Sequence, residues 1–170
     1  MQMTIDGFMA PTLPEQTDTL AQARADLRSR LDDGSICPCC DKYARRYRRR
    51  FNSTMSRSLI WLVRSWEAKG SEGWIDVPAV APRWVVRSNQ LPTIRWWSLA
   101  ERPPNDDPLL KHSGLWRPTK NGVAFAHRRT HIQDTAVTYN GNVEAISGAY
   151  VDIVDTLGIR FNYAEMMGGA

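Results

Sequence analysis

Apolar side chains recur at helical spacing in two stretches of the first half of the chain. Leu20, Ala23, Leu27 and Leu31 lie three and four residues apart, which predicts an amphipathic helix over 17–31, ended by Asp33 and Gly34. Tyr43, Tyr47, Phe51, Met55, Leu59, Leu62 and Trp66 step by 4, 4, 4, 4, 3 and 4, the stripe of a helix of about six turns running to Gly70. Asn52, Ser53 and Thr54 interrupt it with weak helix formers that cap well. A bend there, or two helices meeting, fits the pattern almost as well.

Beyond Gly73 the pattern changes. Residues 74–77 alternate before Pro78 and predict a short strand, whereas Pro82 divides 79–87 and leaves that stretch ambiguous. Ser88 or Asn89 can cap a short helix over 89–98 with Pro92 in its first turn. The breaker-rich stretches 102–107 and 112–114 predict a long hairpin tip with strands on either side, the return strand being Leu115, Trp116 and Arg117. Pro118 and Thr119 then open a turn leading through Gly122 to Phe125. Residues 136–139 alternate again and meet Asn140-Gly141, the signature of a tight hairpin. Tyr150, Val151, Ile153, Val154 and Leu157 predict a short helix ended by Gly158, and 161–167 a further turn.

Composition narrows this picture. With 170 residues, 42% of them hydrophobic, the chain has the balance of one globular domain plus an arm. No apolar run approaches the ~20 residues of a membrane span, and no basic-then-apolar start marks export. The three cysteines fall within 37–40, too close to staple distant parts of the fold, so a cytoplasmic setting is expected. The net charge of +4 is segmental: residues 37–67 hold eight basic against two acidic side chains (+6), and 83–131 nine against three (+6). Three parts are expected: an acidic helical arm (1–36), a central domain with the Cys cluster and a basic helix (37–131), and an extension packed on the same core (132–170).

In this order the elements over 53–128 resemble a winged helix-turn-helix. The strongest local match is the segment "GLWRPTKNGVAF", residues 114–125, which looks like the wing strand and the Thr-x-x-Gly turn that closes the wing in bacterial regulators. A Cys knuckle ahead of a basic helix resembles small accessory proteins of bacteriophages. The resemblance implies an α+β fold, a mostly helical winged helix-turn-helix with an N-terminal helical arm and a C-terminal hairpin-plus-helix extension.

The candidate chemistry follows from charge. Arg45, Arg46, Arg48, Arg49 and Arg50 interleave with Tyr43, Tyr47 and Phe51, so one helix face would pack while the other offers guanidinium forks to phosphates. The competing reading is a solvated basic face that pairs with the acidic arm, Asp26, Asp32 and Asp33, or with the acidic C-terminal tail. Under the winged-helix resemblance, the 89–98 helix enters a major groove with Asn89, Gln90, Thr93 and Arg95 as its polar positions. Lys111, His112, Arg117 and Lys120 would then lie on the wing. Of the adjacent Trp96 and Trp97, one should be core. Cys37 and Cys40 form a C-x-x-C that, with His127 and His131 at H-x3-H spacing, offers four ligands to a structural Zn2+, with Cys39 and His112 as competing ligands; the other reading is three reduced thiols capping the next helix and two solvated histidines. No nucleophile elbow or phosphate loop stands out, so a non-enzyme is expected. The reading is a DNA-binding accessory or regulatory protein of phage origin, with double-stranded DNA as partner. The alternative is an adaptor or inhibitor that binds a host protein through a Trp-rich surface.

Overall fold

The computed structural model describes residues 19–105 and 114–168. It is a mixed α and β structure whose chain forms two compact units, Met1–Arg46 and Tyr47–Ala170. None of its described helices is long and apolar enough to cross a membrane.

The smaller unit contains α1 (Leu20–Ser29), β1 (Ser35–Ile36) and β2 (Tyr43–Ala44). Helix α1 lies within the stretch expected to be helical but stops at Ser29, short of Leu31, and leaves Leu20 exposed. Thr19 caps it in a capping box with Gln22, satisfying two N–H groups that a helix start otherwise leaves unbonded. Strands β1 and β2 pair antiparallel, pairing Ile36 with Tyr43 and closing the Cys-Pro-Cys-Cys turn between them.

In the larger unit the expected six-turn helix is overturned in its first half. Residues Tyr47–Arg50 form a strand, β3, and the helix α2 begins only at Ser53 and runs to Ala68. The break lies where the capping triplet stands: the Asn52 side chain accepts the N–H groups of Thr54 and Met55 at 3.0 and 3.1 Å. A spacing of four fits a helical face, but it is also a multiple of the strand's period of two. The stepping of Tyr43, Tyr47 and Phe51 therefore did not discriminate. The cap did.

Helix α2 is the centre of the larger core. It buries Met55, Leu59, Ile60, Leu62 and Val63, each contributing roughly 1.5–3 kcal/mol relative to an exposed position. Around it run β4 (Ile75–Asp76), α3 (Val77–Val80), α4 (Arg83–Ser88), α5 (Leu91–Ile94) and a 310 turn (Arg95–Trp97), then β5 (Ala100–Glu101) and β6 (Leu115–Pro118). Strands β4, β6 and β5 form an antiparallel sheet in that order. The expected helix over 89–98 is thus shorter and tighter: Asn89 is the left-handed C-cap of α4, and the helical part is α5 plus the 310 turn.

After β6 the Thr-x-x-Gly segment is a helix start, not a wing-closing turn. Thr119 caps α6 (Lys120–Ala126) by accepting the Gly122 N–H at 3.0 Å, and its hydroxyl donates to the Ser98 carbonyl at 2.6 Å. Strands β7 (Ile132–Tyr139) and β8 (Asn142–Val151) make the expected hairpin, with Asn140 and Gly141 both at positive φ (48° and 75°) as a type I′ turn requires. Strand β3 pairs with β7, giving a second sheet in the order β3-β7-β8. Tyr150 and Val151 belong to β8, so α7 is confined to Ile153–Leu157; α8 (Tyr163–Met166) follows.

Asp152 starts α7. Its carboxylate accepts the N–H groups of Val154 (2.7 Å) and Asp155 (2.9 Å) and pairs with Arg128 at 3.0 Å. Burial alone would raise its pKa, but these bonds outweigh burial and hold the carboxyl below the usual Asp value. A depressed folded pKa stabilises the fold above the unfolded value and is lost as pH falls through the folded one. Asp152→Ala should therefore cost about 1 kcal/mol at pH 7. In denaturant titrations at falling pH, the gap to the parent should narrow only below the normal Asp range.

Candidate nucleic-acid interface

The basic side chains expected to act together are divided by the fold. Arg45 and Arg46 belong to the smaller unit, where Arg46 pairs with Asp32 at 3.1 Å, one of the arm acids named for the competing reading. Arg48, Arg49 and Arg50 stand exposed on β3, an edge strand, so they alternate between the two faces of a sheet and do not line one helix face. Arg50 is spent on Asp134 (2.9 Å), a carboxylate that also accepts the Thr135 hydroxyl at 2.7 Å. Charged side chains on such an edge also discourage pairing with another chain.

Arg49 has a different environment. It shares a sheet face with Phe51 and reaches across to the 310 turn, where its guanidinium lies 5.7 Å from the centre of the Trp96 ring. The two tryptophans divide as expected. Trp97 is buried, donates its indole N–H to the Gln133 carbonyl at 2.8 Å and packs edge-on against Phe51, whereas Trp96 is half-buried beneath Arg49. Arg95, just before them, is exposed.

Of the other residues expected at a groove, Asn89 is exposed on a left-handed backbone (φ 46°). Gln90 turns its amide back to the Ser88 carbonyl at 2.6 Å. Thr93 is buried, which corrects its placement on a groove-facing surface: α5 is a single turn, and the side packed against α2 takes Leu91, Thr93 and Ile94 together. On the hairpin, Arg117 is occupied by Glu101 at 2.6 Å and stacks over Trp74 at 4.3 Å. Lys120 is exposed at the start of α6, where it borders a cavity of about 760 Å3 with Trp66, Arg117 and Arg129. Lys111 and His112 lie outside the described residues.

One basic side chain of this region escaped sequence reasoning. Arg102 sits immediately after β5, in a Pro-rich stretch that reads as loop, and its guanidinium lies 4.3 Å from the centre of the Trp116 ring on the return strand. Continuing the register that pairs Ala100 with Pro118 and Glu101 with Arg117 sets Arg102 directly opposite Trp116. Only that pairing, invisible to local pattern, reveals the contact.

For the metal expectation, Cys37, Cys39 and Cys40 are free thiols of the smaller unit. The Cys37 thiol is pulled below its usual pKa, chiefly by the Cys39 N–H and then by the Cys40 thiol. His127 and His131 belong to the larger unit; His131 is exposed, and His127 shares a 2.6 Å hydrogen bond with Glu67. Among the described residues no group of three or more His, Cys, Asp or Glu is gathered so as to hold a metal ion. No family model, curated protein or solved structure matches the chain.

Proposed function

We propose that the chain binds double-stranded nucleic acid and presents α5, the 310 turn and the β5–β6 hairpin to it, in an accessory or regulatory role. The observation that carries this reading is the element order α2, β4, α3–α4, α5, β5, β6 with sheet order β4-β6-β5. That order fits the winged helix-turn-helix resemblance, in which the helix before the hairpin is the one that enters the groove. Arg49, Arg95 and Arg102 supply positive charge to the same part of the unit. A single turn of α5 and three 310 residues reach few base edges, so phosphate contacts carry most of the affinity and sequence selectivity is weak.

The test is fluorescence anisotropy of the full chain with a labelled random-sequence duplex. Three phosphates neutralised give a log–log salt slope near −2.7, so affinity should fall about fortyfold between about 50 and about 200 mM salt. The double variant Arg49→Gln/Arg95→Gln should bind more weakly on every sequence, with a slope shallower by about two. Failure to bind duplex at about 50 mM salt would sink the reading and favour a protein partner.

A further inference from the structure

We propose that Arg102 forms an oxyanion site that takes a phosphate group. Three guanidinium groups of the larger unit are matched with carboxylates: Arg50 with Asp134, Arg117 with Glu101, Arg128 with Asp152. Arg102 is not. It is half-buried, its Nε is shielded from solvent and has no hydrogen-bond partner, and no carboxylate pairs with it among the described residues. The charge that does act on it is that of Arg95, which has the same sign. Burial first, and Arg95 second, pull its pKa below the usual Arg value. A desolvated cation beside a second cation is a poor arrangement for the fold alone, and an arriving anion relieves both costs.

The surroundings define what kind of anion. Arg102 borders a cavity of about 210 Å3 whose walls include Val77, Val85, Pro92 and Trp116, with Asn89 at its edge. Cofactor-sized molecules occupy roughly 300–1,000 Å3, so this space suits one group and not a whole organic ligand. Guanidinium is a donor with no acceptor, and its planar fork matches two oxygens of one phosphate. Stacking on Trp116 fixes the plane of that fork before anything binds, so less freedom is lost on binding. Asn89 offers an amide donor from a backbone already held left-handed.

This inference deepens the nucleic-acid reading and rests on it only for the source of the phosphate, which is either a strand or the free ion. The two are separated by NMR of the full chain with 15N-labelled arginine, the Arg102 Nε–Hε signal being identified by its loss in Arg102→Lys. Inorganic phosphate and a random-sequence duplex are titrated separately, each against chloride at equal ionic strength. The expected result is a saturable shift of the Arg102 signal. A shift with duplex alone identifies a strand phosphate, and a shift with both admits the free ion. A shift with phosphate in a chain that does not bind duplex at about 50 mM salt upholds the site and defeats the nucleic-acid reading. Arg102→Gln should lower duplex affinity about tenfold and make the salt slope shallower by about one, at a Tm no lower than the parent's, with Arg102→Lys recovering only part. A signal that neither titrant moves overturns the proposal, even if Arg102→Gln weakens binding, because the residue would then act only by supporting Trp116.

Discussion

Gly122→Ala is expected to destabilise the larger unit by about 3 kcal/mol in a urea titration, the reverse of what helix propensity alone would give. Gly122 lies in the first turn of α6, and there an alanine normally gains about 1 kcal/mol over glycine. The opposing term is steric. A Cβ at this position would fall on the Leu99 carbonyl oxygen and 2.8 Å from its carbon, both backbone atoms that cannot swing aside as a side chain can. The clash is fixed from both sides. Thr119 donates its N–H to the same Leu99 carbonyl at 3.1 Å and its hydroxyl to the Ser98 carbonyl at 2.6 Å, so moving α6 away breaks two hydrogen bonds at the junction with β5. Gly141→Ala separates this from the general cost of losing a glycine. A Cβ at Gly141 would meet nothing within 4 Å, but the backbone there has a φ of 75°, so that variant should lose only the roughly 1–2 kcal/mol of left-handed strain. Equal losses in the two variants would mean that the α6–β5 junction is not tight.

The same junction marks where the sequence was legible and where it was not. Short-range chemistry was readable: the α1 helix, the Asn140-Gly141 turn and the capping role of Asn52 are all set by a few adjacent residues, and the structure has each of them. Thr119 and Gly122 also stand out in the sequence, but their spacing suits both a wing turn and a helix cap, and it is Leu99, more than twenty residues earlier in sequence, that requires glycine at 122. The arginine run failed for a related reason. Its register against Thr135, Ala136 and Val137 of β7 makes it a strand, and nothing within 45–50 announces a partner more than eighty residues away. Charge could be counted from the sequence, but how it divides among Asp32, Asp134 and Trp96 depends on pairings that only the fold supplies.

Phe125→Ala is the other change with a large expected effect, about 3–5 kcal/mol and a fall in Tm of roughly 6–20 °C. Phe125 is fully buried on α6 and meets Phe51 edge-on, with ring centres 5.6 Å apart; Phe51 in turn meets Trp97 edge-on at 5.1 Å. The three rings tie α6, the β3–α2 junction and the 310 turn into one piece of core. Truncating Phe125 removes its transfer energy and leaves a space that α2 and α6 cannot close without disturbing Phe51. An exposed aromatic is the control: Tyr150, 73% accessible on β8, should change stability by no more than about 0.5 kcal/mol when truncated. A double-mutant cycle with Phe51→Ala and Phe125→Ala should show coupling of about 1 kcal/mol, the worth of an edge-to-face pair beyond its buried area. Additive losses would mean that the two rings pack independently. Because Phe51 also supports Trp97, next to the Trp96 that carries Arg49, the proposed duplex binding carries a further prediction. Phe51→Ala should weaken duplex binding under conditions where the chain is still folded, whereas Phe125→Ala, one ring further away, should reduce stability far more than affinity.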